Sequence, residues 1–92
     1  MKNKIIFVSG SFNVLHPGHI RLLRFAKDLK GKLIVGVISD KYAEKTAYIN
    51  QDLRLEGISS NSLVDEAIIV DEPIENFIKK LKPDIVVKGK EH

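Results

Sequence analysis

The hydrophobic pattern along the chain predicts four buried strands that alternate with three amphipathic helices. Continuous apolar runs rich in Val and Ile are typical of strands covered on both faces. These runs span 4–9, 33–38, 66–70 and 85–87. Apolar residues at helical spacing predict helices over 18–29, 51–59 and 74–81. The order βαβαβαβ in one small domain, 1–92, indicates an α/β fold with a parallel sheet.

The middle of the chain has a weaker pattern. Residues 45–50 are predicted to form a loop after the carboxyl end of the second strand, which is the edge where open α/β sheets bind ligands. Asn50 is positioned to cap the helix over 51–59. Leu53 and Ile58 are predicted to form the inner face of that helix, with Arg54 on this face or beside it.

The segment between the first strand and the first helix carries the candidate chemistry. Residues 10–19 read GSFNVLHPGH. Pro17 suits the first position of a helix, and a helix N-terminus directs N–H groups and partial positive charge at an anion, most often a phosphate. Gly10 and Gly18 allow a phosphate to approach the backbone closely. His16 and His19 flank the same opening.

Composition and charge narrow the function classes. The chain is 43% hydrophobic and 29% charged and has no cysteine, which excludes disulfides, thiolate metal sites and cysteine nucleophiles. No apolar run approaches the ~20 residues of a membrane span, and we expect a cytoplasmic protein without membrane partners. Residues 1–32 hold seven of the fifteen basic residues and one acid, Asp28, which favours an anionic ligand. We expect no exposed aromatics interleaved with the basic residues, so nucleic-acid binding is the less favoured alternative.

The segment 10–19 resembles the signature of the cytidylyltransferase-like nucleotidyltransferases, usually Gly-x-Phe-Asp-x-x-His-x-Gly-His. The matching positions are Gly10, Phe12, His16, Gly18 and His19. Asn13 replaces the commoner Asp and keeps an acceptor oxygen without the charge. The resemblance continues over the whole chain, and 82–89 is most similar to the heptose-phosphate and glycerol-phosphate branches.

The resemblance implies a Rossmann-like, three-layer α/β/α fold whose parallel sheet of about four strands has the order 3-2-1-4. It implies a reaction in which a substrate phosphate attacks the α-phosphate of CTP or ATP and pyrophosphate leaves. The product is a small phosphorylated alcohol or sugar that carries CMP or AMP. Mg²⁺ is expected to accompany the triphosphate without a dedicated metal site in the protein. Family members are commonly dimers, so we expect a homodimer.

The resemblance also assigns roles to single residues. His16 and His19, with Lys45, are the catalytic candidates, since they would hold the phosphates and the charge that develops on them. The candidates for binding nucleotide or phosphate are Gly10, Ser11, Phe12, Gly18, Arg54, Lys88 and Gly89. For Lys45, Arg54 and Lys88 the alternative of an ordinary solvated charge stays open, and the two histidines could instead cap a helix.

The family's C-terminal Ser-Thr-Thr motif does not occur at the corresponding place, and no fifth strand follows 85–87. We therefore expect a C-terminally incomplete domain that lacks the final strand and helix. This leaves a second functional interpretation open. The chain could be a catalytically incomplete module that binds nucleotide or phosphate, or a fragment of a larger enzyme.

Overall fold

The computed structural model describes residues 4–10, 12, 17–42 and 50–87. The elements, in chain order, are β1 (Ile5–Gly10), α1 (Pro17–Asp28), β2 (Lys32–Ile38), α2 (Gln51–Ser59), β3 (Glu66–Val70), α3 (Ile74–Leu81) and β4 (Ile85–Val87). All pairings within the sheet are parallel, and its order is β3-β2-β1-β4. The predicted α/β class, strand order and alternation of elements are confirmed. The bounds of α2, β3, α3 and β4 are those predicted, whereas β1, α1 and β2 differ from prediction by one residue at one or both ends.

The two faces of the sheet are covered by different helices. Ile6 and Val8 of β1 are fully buried in a cluster that includes Leu23 and Ala26 of α1 and Ile58 of α2. Alternation along the strand turns the intervening β1 residues to the opposite face, where α3 packs. The protein therefore has the three-layer α/β/α arrangement that the resemblance implied.

The face under α3 contains one close approach that requires glycine. The ring of Phe7 packs against Phe77 of α3, with ring centroids 5.3 Å apart. A Cβ atom on Gly36 of β2 would lie 2.7 Å from Cζ of Phe7 and 2.9 Å from Cγ2 of Val70. Because Phe7 is fully buried, its ring has no room to move away, and only glycine fits beside it.

Two aspartates fasten the amino edge of the sheet. Asp65 Oδ2 accepts hydrogen bonds from the Leu33 amide at 2.7 Å and from Lys27 Nζ at 2.5 Å, so it joins β2 to the last turn of α1. Asp84 and Ile5 exchange two bonds: the Ile5 amide donates to Asp84 Oδ2 and the Asp84 amide donates to the Ile5 carbonyl. Because Asp65 directly precedes β3 and Asp84 directly precedes β4, these contacts fix where all four strands begin.

The inner face of α2 differs from the sequence prediction. Arg54 and Ile58 are its buried residues, whereas Leu53 is 56% exposed. The prediction for Leu53 was wrong because Arg54 and Ile58, four residues apart, lie on one helical face, and the Arg54 guanidinium finds acceptors under the helix. Among the described residues, no helix has the length and apolarity needed to cross a membrane.

Candidate functional site

The carboxyl ends of β1 and β4 lie side by side at the point where the strand order of the sheet reverses. Ile6, Phe7 and Val8 pair with 85–87, and the helix that follows β1 and the helix that precedes β4 lie on opposite faces of the sheet. Open α/β sheets bind ligands in the crevice at such a reversal. The segment 10–19 begins at this position, so the topology puts the predicted site where the fold favours one.

The chain leaves β1 through an uncommon backbone conformation. Gly10 ends the strand and is buried. Phe12, two residues later, has a left-handed φ of 54° although it is not glycine, and it is only 4% exposed. A bulky residue in this region costs free energy and persists where the surrounding structure holds it, which is frequent at functional sites.

The N-terminus of α1 faces the same edge of the sheet. The helix begins at Pro17, one residue before the predicted range, and Gly18 and His19 lie in its first turn. That turn contains no acidic residue, so no carboxylate offsets the positive end of the helix dipole. The first-turn N–H groups of an α-helix have no acceptors within the helix. This end of α1 is suited to an anion.

Phe12 and His19 connect the two parts of the segment. Their ring centroids are 5.4 Å apart and the rings meet at 63°, which is an edge-on aromatic contact. Phe12 lies within the apolar cluster under α1, whereas the His19 side chain is half-buried. The core therefore supports the imidazole from one side at the start of the helix.

The exits of β2 and β3 form a second group of polar side chains at this edge. Ser39 is buried, and its Oγ donates to Asp71 Oδ1 at 2.8 Å while its amide donates to the Val70 carbonyl at 3.0 Å. Asp40, the next residue, receives 2.6 Å and 3.2 Å hydrogen bonds from Arg54 Nη2 and the Gln51 amide. These bonds hold the pKa of the Asp40 carboxyl below its usual range, with the Arg54 bond as the largest cause.

Arg54 lies on the inner face of α2, which is one of the two placements that the sequence pattern left open. Its side chain is fully buried, so it is not a solvated surface charge. Its guanidinium donates to the Ile38 carbonyl at 2.7 Å and to Asp40 Oδ1, and these bonds turn it toward the protein. In this arrangement the guanidinium is bonded to the exit of β2.

Several predicted site residues lie outside the described residues. They are Ser11, His16, Lys45, Lys88 and Gly89. Of the predicted set, the structure describes Gly10, Phe12, Gly18, His19 and Arg54. It brings Phe12 and His19 into contact, while Arg54 lies with the β2 exit.

The sequence interpretation did not assign roles to Ser39, Asp40, Gln51 and Asp71. A signal was available, since Asp71 comes directly after β3, Asp40 comes two residues after β2, and Arg54 lies on the inner face of the next helix. A basic residue on an inner face requires a partner. Within the described part of the chain, no three His, Cys, Asp or Glu side chains are grouped to hold a metal ion.

The sequence profile described as Cytidylyltransferase-like matches residues 7–92. The chain belongs to this family. The Bifunctional protein HldE of Campylobacter curvus is 41% identical over 98 residues, and that of Campylobacter concisus is 37% identical over 97. Each alignment covers 99% of this chain but 21% of the relative, so the chain spans about a fifth of the length of these relatives.

A solved structure agrees with the family membership. The lipopolysaccharide core biosynthesis protein from Thermoplasma volcanium superposes with a TM-score of 0.83 and 32% sequence identity. The match covers 90% of this chain and 71% of that protein. This cytidylyltransferase-like chain thus shares its fold with the lipopolysaccharide core biosynthesis protein over the matched region.

Proposed function

We propose that the protein is a nucleotidyltransferase, or the nucleotide-binding part of one, that transfers CMP or AMP from CTP or ATP to a small phosphorylated alcohol or sugar. The observation that carries this proposal is the β1–α1 junction. There an acid-free helix N-terminus, a strained Phe12 and the half-buried His19 meet at the sheet's ligand-binding edge. Membership of the Cytidylyltransferase-like family supports the same reaction class.

The chemistry follows from the charges that the site must hold. The triphosphate binds with its phosphates against the N-terminus of α1, where amide N–H groups and the imidazoles of His16 and His19 donate to the oxygens. A phosphate oxygen of the acceptor attacks the α-phosphate, a P–O bond forms, and the bond to the leaving pyrophosphate breaks. The side chains act by positioning and by stabilising negative charge in the transition state, so no covalent enzyme intermediate is required.

The other predicted contacts complete this proposal. Gly10, Ser11, Phe12 and Gly18 supply close backbone approach to the phosphates. Lys45 contacts the phosphates of acceptor or nucleotide, and Lys88 and Gly89, which follow β4 at the strand-order reversal, lie against the base or ribose. Mg²⁺ bound with the triphosphate would supply charge neutralisation, with phosphates and water as its expected ligands.

A sugar phosphate is the favoured acceptor. The solved relative is named for lipopolysaccharide core biosynthesis, and the lipopolysaccharide core is built from sugars. The resemblance of 82–89 to the heptose-phosphate branch points to the same acceptor class. We propose a homodimer as the assembly, and gel filtration with light scattering measures it.

A pyrophosphate-release assay tests the proposed function. The chain is incubated with Mg²⁺ and either CTP or ATP, each with a panel of sugar phosphates and phospho-alcohols. We expect release that requires both a nucleotide and an acceptor, with a sugar phosphate as the better acceptor. Release that is independent of the acceptor would contradict a transferase, as would the absence of release with every pair.

The same assay, with a binding titration, decides the alternative. The alternative is a module that binds nucleotide without transferring it. Binding of CTP or ATP without pyrophosphate release supports that alternative. Steep loss of DNA or RNA binding with added salt would instead indicate a nucleic-acid site.

A further inference from the structure

Three side chains tie the exit of β2 to the start of α2. Arg54 Nη1 donates to the Ile38 carbonyl at 2.7 Å and Nη2 donates to Asp40 Oδ1 at 2.6 Å. The Asp40 amide donates to Gln51 Oε1 at 3.0 Å, and the Gln51 amide returns a 3.2 Å bond to Asp40 Oδ2. We call Asp40, Gln51 and Arg54 the β2–α2 clamp. It holds together two points that lie eleven residues apart in the chain.

The burial of Arg54 indicates that its guanidinium is kept for the hydrogen bonds that it makes. The Arg54 side chain is fully buried, while the Asp40 side chain is 49% exposed. A buried guanidinium loses its hydration, and one ion pair with a half-exposed carboxylate returns only part of that free energy. An apolar residue would fill the same space at lower cost. What arginine adds is a planar fork that binds a carbonyl and a carboxylate at once and so fixes their relative positions.

The clamp lies next to the candidate site. Gly10, the last residue of β1, pairs with Val37, and Ile38 is the next residue of β2. The carbonyl that Arg54 binds therefore belongs to the strand end beside the β1–α1 turn. Displacement of this strand end would change the edge of the crevice in which the triphosphate is proposed to bind.

We propose that Arg54 is a positioning residue, which sets the carboxyl edge of β2 through Ile38 and Asp40 and does not itself bind the phosphates. The functional part of this role rests on the proposed function. The clamp extends the site by a residue that never touches the ligand. It also gives a role to Asp40 and Gln51, to which the proposed phosphate site at the β1–α1 junction assigns none.

Neutralising Asp40 distinguishes positioning from direct contact. If the guanidinium reached the phosphates, Asp40→Asn would release it from a competing carboxylate, and MgCTP or MgATP would bind more tightly. If Arg54 acts through the strand end, Asp40→Asn weakens binding, as Arg54→Lys does, because lysine cannot span both acceptors. We expect each variant to raise the dissociation constant by about tenfold, the loss of roughly one charge-assisted hydrogen bond.

The double variant gives the decisive comparison. Residues that act as one unit are not additive. We therefore expect Asp40→Asn with Arg54→Lys to weaken binding by no more than about the larger single effect, instead of the product of the two. A multiplicative double variant, or tighter binding by Asp40→Asn, would overturn the proposal. Arg24→Lys and Asp52→Asn, exposed residues of α1 and α2, are the matched controls, and we expect neither to change the dissociation constant.

A second readout does not depend on nucleotide binding. In the clamp, the amides of Asp40 and Gln51 donate to each other's side chains, so their hydrogen exchange reports whether it is closed. We expect Arg54→Lys to accelerate exchange of both amides, and unchanged exchange would overturn the clamp itself. If Arg54 only stabilises the fold, Arg54→Lys lowers the melting temperature but leaves the dissociation constant of the folded protein unchanged. That result would also contradict positioning. A wild-type chain that closes the clamp but binds neither nucleotide contradicts the proposed function and the functional part of this role together.

Discussion

The ring of Phe12 meets the imidazole of His19 edge-on, with centroids 5.4 Å apart, and so joins the exit of β1 to the first turn of α1. Phe12 reaches this position in a left-handed conformation, with its side chain in the apolar cluster beneath α1. The contact lies at the N-terminus of α1, so the imidazole of His19 is at the positive end of the helix dipole. It is the described part of the junction at which we propose that phosphates bind.

The first prediction concerns this ring contact. Phe12→Leu keeps an apolar side chain in the core but removes the ring edge, and such aromatic pairs contribute about 0.5–1.5 kcal/mol. We expect MgCTP or MgATP to bind up to about tenfold more weakly, because His19 loses the support that orients it. Phe25→Leu is the matched control, since Phe25 lies on α1, the helix that carries His19, and is 59% exposed. Equal effects of the two substitutions would show that His19 does not depend on Phe12.

The second prediction compares two glycines that differ in their surroundings. A methyl group on Gly36 would collide with the buried Phe7 ring, whereas nothing lies within 4 Å of a Cβ atom on Gly57 in α2. We expect Gly36→Ala to lower the free energy of unfolding by about 1–3 kcal/mol. We expect Gly57→Ala to raise it by about 0.5–1 kcal/mol, because alanine favours the helix. Urea denaturation measures both, and a stabilised Gly36→Ala would contradict the packing described under α3.

The third prediction concerns acid. The hydrogen bonds from Lys27 and the Leu33 amide hold the pKa of Asp65 below its usual range, with the Lys27 bond as the largest cause. A carboxyl whose pKa is lowered by folding stabilises the folded state above its unfolded pKa. That contribution is lost as the pH falls below about 4 and through the folded value. Asp40 adds a contribution of the same sign.

Asp65→Asn tests this dependence. We expect the variant to be less stable than the wild type at pH 7 and to lose less stability between pH 7 and pH 3, because asparagine does not titrate. Urea midpoints at the two pH values give the comparison. Asp28→Asn removes an exposed carboxylate from the end of α1 and serves as the control. The same pH dependence in Asp65→Asn and wild type would contradict the proposed source of acid sensitivity.

The fold was predictable because its signals are local. Short Val- and Ile-rich runs, the helical stripe of Leu23 and Ala26, and the cap at Asn50 each follow from neighbouring residues, and the structure confirms them. The segment 10–19 could be singled out for the same reason. Its glycines, proline and histidines all lie within this one short segment.

The β2–α2 clamp was not predictable in the same way. It depends on a strand end and a helix face that meet only in three dimensions, and periodicity alone placed Leu53 on the inner face where Arg54 lies. The same limit applies to the contact between Phe12 and His19. The contact requires a positive φ at a non-glycine residue, which no local propensity indicates.

The most direct test of the proposed site is the affinity of the chain for MgCTP and MgATP, measured by calorimetry with single histidine substitutions. If the β1–α1 junction holds the triphosphate, His16→Ala and His19→Ala each weaken binding by at least about tenfold. Both should also reduce any pyrophosphate release by orders of magnitude, with little change in melting temperature. His92→Ala, which removes the third histidine of the chain, leaves the affinity unchanged. Wild-type affinity in both His16→Ala and His19→Ala would contradict the phosphate site at this junction.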